Sequence, residues 1–161
     1  MSASLAAALA APGQPEASFR AIEAVLGEIA GHRLFTVLVL DQARGVSWRA
    51  WTSDAEAYPL GGEKPIRPGS EHHRLVIEAG QPRLCPDRAA IVAAFPDHER
   101  ILALGCESAV NVPVRWNGTT LGGLNLLDRA GAYSAAQFPI LLQVAAFAVA
   151  PILHLLQGDR P

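Results

Sequence analysis

The chain is short of charge and of cysteine, and both shortages narrow what it can do. Only 17% of its residues are charged while half are hydrophobic, so intrinsic disorder is excluded: there is enough apolar side chain to offset the entropy of ordering. A net charge of -2 and a pI near 6.2 leave no concentrated basic surface, and therefore no reason to expect a nucleic-acid partner. The two cysteines, Cys85 and Cys106, make no disulfide framework and point to a reducing, cytoplasmic compartment. Phosphate-cradling glycine loops, paired zinc-type cysteines and a placeable Ser-His-Asp set are all missing. Ser2 to Ala11 is apolar but lacks the basic start of a secretory signal. Pro139 to Leu156 is uncharged and about as long as a membrane span. Gln143, Pro151, His154 and several alanines lower its hydrophobicity, so the expectation is a buried terminal helix and no membrane.

What is present suits one domain. A length of 161 residues buries a proper core unaided. Residues 1–15, Ala-rich and closed by Pro-Gly-Gln-Pro, read as a flexible tail, residues 16–157 as the domain, and 158–161 as a C-terminal tail. Phe19, Ile22, Leu26 and Ile29 form one stripe of a helix over 16–31 that Gly31 ends. That stripe suits packing on its own domain or a seam against a second subunit.

Leu34–Leu40 and Val46–Ser53 read as strands around a tight turn. In a regular second strand, Trp48, Ala50 and Thr52 share one face and Arg49 and Trp51 the other. Residues 54–69 read as a long ordered loop. Ser70 caps a short helix that stops at Gly80, Pro82–Cys85 reads as a brief strand, and 87–104 as helical turns around Phe95-Pro96-Asp97. Asn117-Gly118, between two apolar runs, predicts a hairpin of 108–115 with 120–127. Ser134 then caps a long helix through Leu156, which Pro151 kinks. This order predicts an α+β fold: a central antiparallel sheet, the N- and C-terminal helices on one face, and the middle excursion over the other.

These pieces resemble a GAF domain. The likeness rests on the strand pair Phe35–Leu40 and Val46–Thr52, on Gly105-Cys-Glu-Ser-Ala-Val-Asn-Val-Pro-Val114, on Leu121-Gly-Gly-Leu-Asn-Leu126 and on the helix after Tyr133-Ser134. It spans about residues 16–156. Alternation along the hairpin puts Val110, Val112, Leu124 and Leu126 on one side, expected to pack on the terminal helices. Ala109, Asn111, Asn125 and Leu127 fall on the other, which the resemblance implies faces a ligand chamber.

The candidate ligand-binding residues are Trp51, Tyr58, His72, Asn111, Asn125 and Cys106. Asn111 and Asn125 are amides inside apolar strands and need partners, either a ligand or the loop backbone above the sheet. Trp51 and Tyr58 can supply an aromatic wall, or fill the core. His72 and His73 begin the short helix near the same loop, but adjacent helical residues diverge too far to share an ion, so no metal site is expected. No cofactor is implied.

One GAF branch reduces free methionine-(R)-sulfoxide with a cysteine nucleophile and a resolving cysteine. Aligned to it, the nucleophile falls near Leu102, the resolving cysteine near His73, and the substrate-gripping acids at Ala109, Asn125 and Leu127. None matches. The resemblance therefore implies a sensory module binding a small organic molecule without catalysis, signalling through a separate partner or a homodimer. A reductase-like enzyme using Cys106 and Cys85, and a purely structural dimerisation module, stand as the alternatives.

Overall fold

Asn117 and Gly118 hold positive φ, 48° and 76°, the primed-turn geometry that an Asn-Gly pair favours. The turn joins β5 (Ser108–Trp116) to β6 (Thr119–Asp128), and β6 pairs on its other side with β1 (Leu34–Asp41). β2 (Val46–Thr52) and β3 (Gly61–Pro65) extend one flank, while the short β4 (Arg83–Cys85) closes the other. The computed structural model, which describes residues 1–158, thus contains an antiparallel sheet in the order β3-β2-β1-β6-β5-β4. Residues 159–161 of the expected C-terminal tail lie outside the described residues. β3 falls within the stretch read as loop. Its glycines and proline carry no strand pattern, and pairing with β2 alone makes it one.

One glycine of β6 matters for the pairing. A Cβ on Gly122 would run into the carbonyl oxygen of Leu38 on β1 and the side chain of Ile152, so only glycine lets these strands and the last helix meet. Pro113 lies past the end of β4, whose pairing with β5 stops at Asn111, so its missing N–H falls where β5 is an edge.

One face of the sheet carries the helices. α2 (Glu16–Ile29) ends as expected, with Gly31 at φ 74° taking up the Leu26 carbonyl. Its Phe19, Ile22 and Leu26 are fully buried against Phe35, Val37, Val110, Val112, Leu124 and Leu126. Each such side chain contributes about 1.5–3 kcal/mol by leaving water. Ser134 and Gln137 form a capping box that starts the C-terminal segment. α5 (Phe138–Ala145) and α6 (Val149–Gln157) follow, separated by a 3-10 turn over Ala146–Ala148. Pro151 has no N–H for the Phe147 carbonyl and its ring crowds that group, which accounts for the change of geometry there. Leu141, Val144, Ala148 and Ile152 are buried on the sheet, yet only 33% of the most apolar window of Ala135–Gln157 is buried. By length and composition alone this helix could cross a membrane.

The N-terminus departs from expectation. Residues read as a flexible tail instead form α1 (Ser2–Ala10), which lies against α2 and buries Leu5 in the helix-side core. Gln14 closes the link by donating from Nε2 to the carbonyls of Ala8 and Ala11, and Ser18 donates to Gln14 in turn. An alanine run has high intrinsic helix propensity, and a single leucine suffices to dock it.

Over the opposite face runs the excursion: a π-helix (His73–Glu78), α3 (Arg88–Ala94) and α4 (His98–Ala103). Ser70 caps as expected, its Oγ accepting from the His73 N–H, but the segment it opens is wound as a π-helix. Thr120 ties this segment to the sheet, its Oγ1 lying 2.8 Å from the Ile77 carbonyl and 3.2 Å from that of Val76.

Candidate functional site

The face beneath the excursion is divided into three bands, set by which residue each strand presents at each level. At one end Leu34, Cys85, Ala109 and Leu127 meet Tyr58, Ile91, Ile101 and Cys106 in a closed apolar cluster. Along the middle runs a ladder of polar side chains. Arg83, Asn111, Asn125 and Thr36 stand directly opposite one another on β4, β5, β6 and β1. Arg83 Nε donates to Asn111 Oδ1 at 2.9 Å, Asn111 Nδ2 to Asn125 Oδ1 at 2.7 Å, and Asn125 Nδ2 to Thr36 Oγ1 at 3.2 Å. All four side chains belong to buried residues. The amides thus satisfy each other across the sheet, each bond avoiding the roughly 1–3 kcal/mol that an orphaned buried polar group costs.

Beyond the ladder, the third band is a small cavity of about 10 Å³, room for about one water. Leu38, Leu40, Gly122, Gly123 and Asn125 form its floor, and His72 and Val76 of the covering segment its roof. Gly123 leaves this space open: a Cβ there meets nothing nearer than 3.6 Å. Burial, with the charges of Arg83 and His73 adding to it, pushes His72 down to about 4, so its imidazole is neutral at physiological pH.

Of the expected site residues, Asn125 and His72 line this cavity, and Asn111 stands one hydrogen bond behind it. Tyr58 does not. It fills the apolar band, donates to Asp97 Oδ2 at 2.8 Å, and has the guanidinium of Arg49 4.9 Å from its ring centre. Cys106 is fully buried in that same band.

Trp51 lies on the wrong face altogether. A β-bulge between Val37 and Leu38 pairs Val37 with Trp51 but Leu38 with Arg49, so the strand loses its regular alternation at Ala50. Both Trp48 and Trp51 consequently pack on the helix-side core. Trp51 sits 6.2 Å from the Phe19 ring and donates from Nε1 to Glu23 at 2.6 Å. A shallow groove beside it, lined by Arg20, Glu23 and Ala24, is a surface feature of the helix layer.

Sequence reasoning missed Arg83. Its side chain is only 5% exposed, with its guanidinium 5.0 Å from the centre of the Phe95 ring. Burial lowers its pKa, though a guanidinium this far above neutrality keeps its charge. The available signal was an arginine two residues before a buried cysteine in a brief strand, which alternation places on the cysteine's own side.

The thiols are poorly placed for chemistry. Cys85 and Cys106 are free and buried, and burial pushes both pKa values up, Cys106 to about 11. A nucleophilic thiol needs the opposite shift. Among the described residues no three His, Cys, Asp or Glu side chains come together as metal ligands.

No protein-family model matches this sequence, and no curated protein does either. Solved structures do match in shape. The GAF domain of a phosphoenolpyruvate-protein phosphotransferase from Coxiella burnetii covers 94% of this chain and 90% of its own, at TM-score 0.70 and 16% identity. The corresponding domain from Acinetobacter covers 98% and 93%, at TM-score 0.71 and 14% identity. A type II free methionine-R-sulfoxide reductase from Thermoplasma acidophilum covers 85% and 89%, at TM-score 0.61 and 18% identity. Identities this low speak for the fold only.

Proposed function

Taking the GAF fold as the premise, we propose that the chain is a cytoplasmic sensory module that binds a small organic molecule and has no catalytic activity of its own. The observation that carries this reading is the buried polar ladder bordering a cavity under a separate cover. Four polar side chains on successive strands form a prepared surface, and one of them, Asn125, opens to the cavity. The roof is the π-helix with His72 just before it, a rare winding that recurs at functional sites. Only the cover need move to enlarge the space, and a ligand shifts it by as much as it favours the opened state.

Solved structures of this shape include the GAF domain of a two-component sensor histidine kinase from Bacillus halodurans and residues 122 to 287 of a methyl-accepting chemotaxis protein. The output of this module would pass through such a partner or through a second copy. The largely uncovered apolar side of α5 and α6, where Leu142 is exposed, supports a homodimer seam. The buried, high-pKa thiols weigh against a reductase.

Native mass spectrometry of freshly purified protein, followed by thermal shift across a metabolite library, tests the reading. Retention of a small molecule, or a compound that raises Tm with saturating dose dependence, is the expected result. A protein that retains nothing and is stabilised by no compound is a structural module with a collapsed chamber.

A further inference from the structure

Arg83 is less well served than a buried charge normally is. A guanidinium offers five N–H donors. Among the described residues only its Nε–H makes a hydrogen bond, to Asn111. Among the described residues the one carboxylate paired with it is Glu71, whose Oε2 lies 3.8 Å from Nη1, beyond hydrogen-bond range. Glu71 is itself 58% exposed and belongs to the cover, next to the cavity-lining His72. So a cation 95% withdrawn from water is held on one edge by the ladder and on one face by Phe95. Among the described residues, its two terminal nitrogens face only a solvent-exposed carboxylate of the covering segment, 3.8 Å from Nη1. Taking a charge out of water is costly unless close partners compensate, and this arrangement leaves the compensation incomplete.

We propose that Arg83 is the anchor for a carboxylate on the ligand, which replaces Glu71 on Nη1 and Nη2 and so releases the segment that roofs the cavity. The inference rests on the ligand-binding reading above and specifies its chemistry. Carboxylate geometry matches the two terminal nitrogens in a bidentate pair, which an exposed single contact at 3.8 Å does not. Neutral His72 adds no competing positive charge and can donate or accept beside the anion. Arg83 stands outside the cavity, two rungs along the ladder, so the rest of the ligand must run over Asn111 and Asn125 to reach the apolar surface of Leu38, Leu40, Val76 and the bare backbone of Gly123. The amide of Asn125 is the polar group positioned to read it.

The test uses the whole chain and paired probes: butyrate, isovalerate and benzoate against butyramide, isovaleramide and benzamide, at millimolar concentration and matched ionic strength. The acids are expected to raise Tm and the amides to leave it unchanged. Arg83→Met should weaken the acids by roughly 30-fold or more, the loss of a bidentate charge-assisted pair. Glu71→Gln, a surface change that leaves the fold alone, should tighten them by about 3- to 5-fold by removing the internal competitor. Amides as effective as acids, an Arg83→Met variant that still responds, or weaker binding in Glu71→Gln each overturn the inference. If neutral compounds bind without regard to Arg83, the carboxylate assignment fails while the sensory reading stands. If nothing binds and the purified protein retains nothing, both fall.

Discussion

Replacing Asn111 by leucine, which has the same branched skeleton with two methyl groups for the amide oxygen and nitrogen, removes the central rung of the polar ladder while keeping the space filled. Two bonds are lost. The one from Arg83 Nε involves a charged donor and is worth about 1.5–3 kcal/mol, and the neutral one to Asn125 about 1 kcal/mol. The sum, about 3 kcal/mol, should lower Tm by roughly 6–12 °C in a domain of this size. Much of that cost comes from stranding a buried guanidinium, so it should be recoverable. Arg83→Met in the Asn111→Leu background should restore about 2 kcal/mol, although Arg83→Met alone brings little change. Urea unfolding followed by the fluorescence of Trp48 and Trp51, which pack on the core, reads all four corners of this double-mutant cycle. A loss below about 1 kcal/mol for Asn111→Leu, or no rescue by the second substitution, would falsify the view that the ladder compensates a buried charge.

Other expectations follow from the same geometry. Gly122→Ala should cost about 2–3 kcal/mol, because the Leu38 backbone and Ile152 cannot yield, whereas Gly123→Ala should cost under about 1 kcal/mol; equal losses in chemical denaturation would contradict the assigned faces. The folded pKa of His72, about 4, lies below its ordinary 6.5, so the unfolded chain binds its proton first on acidification. Stability from this residue is complete above pH 6.5, declines as pH falls toward 4, and the loss approaches ~3 kcal/mol. His72→Phe should flatten the wild-type profile across that window, leaving the contributions of all other groups in place. With its thiol raised to about 11 and fully buried, Cys106 should react with a disulfide reagent at pH 8 only through opening. Labelling of the native protein as fast as of the urea-unfolded chain would refute that placement.

The candidate site was half legible before the structure. Alternation through 108–115 and 120–127 placed Asn111 and Asn125 together and opposite the helices, and the pairing Asn111↔Asn125 is what the structure contains. The aromatic wall was misplaced for a local reason. Trp51 was assigned by strict alternation from Trp48, and one extra residue at Ala50 turned it to the other face. A bulge is a property of the strand pair, set by how β1 and β2 twist against each other, and a single strand shows no trace of it. Tyr58 was expected in the aromatic wall and Cys106 among the ligand-binding residues, and both lie instead in the apolar band. Their actual neighbours, Ile91 and Ile101, come from α3 and α4, whose docking no period in the sequence predicts.

Local chemistry, then, was sufficient to specify the elements: glycines and Asn-Gly at turns, Ser and Gln at caps, and apolar periods of two and near four along strands and helices. Those are short-range effects, and the composition alone already excluded a basic or disulfide-held design. Only the assembled chain decided where charge and space would lie. Arg83 becomes a buried cation because β4 closes the sheet beside Asn111, and the cavity is small because His72 and Val76 descend on Leu38 and Gly123. Both depend on contacts between residues far apart in sequence, whose energies are set by burial and by partners that no local pattern contains.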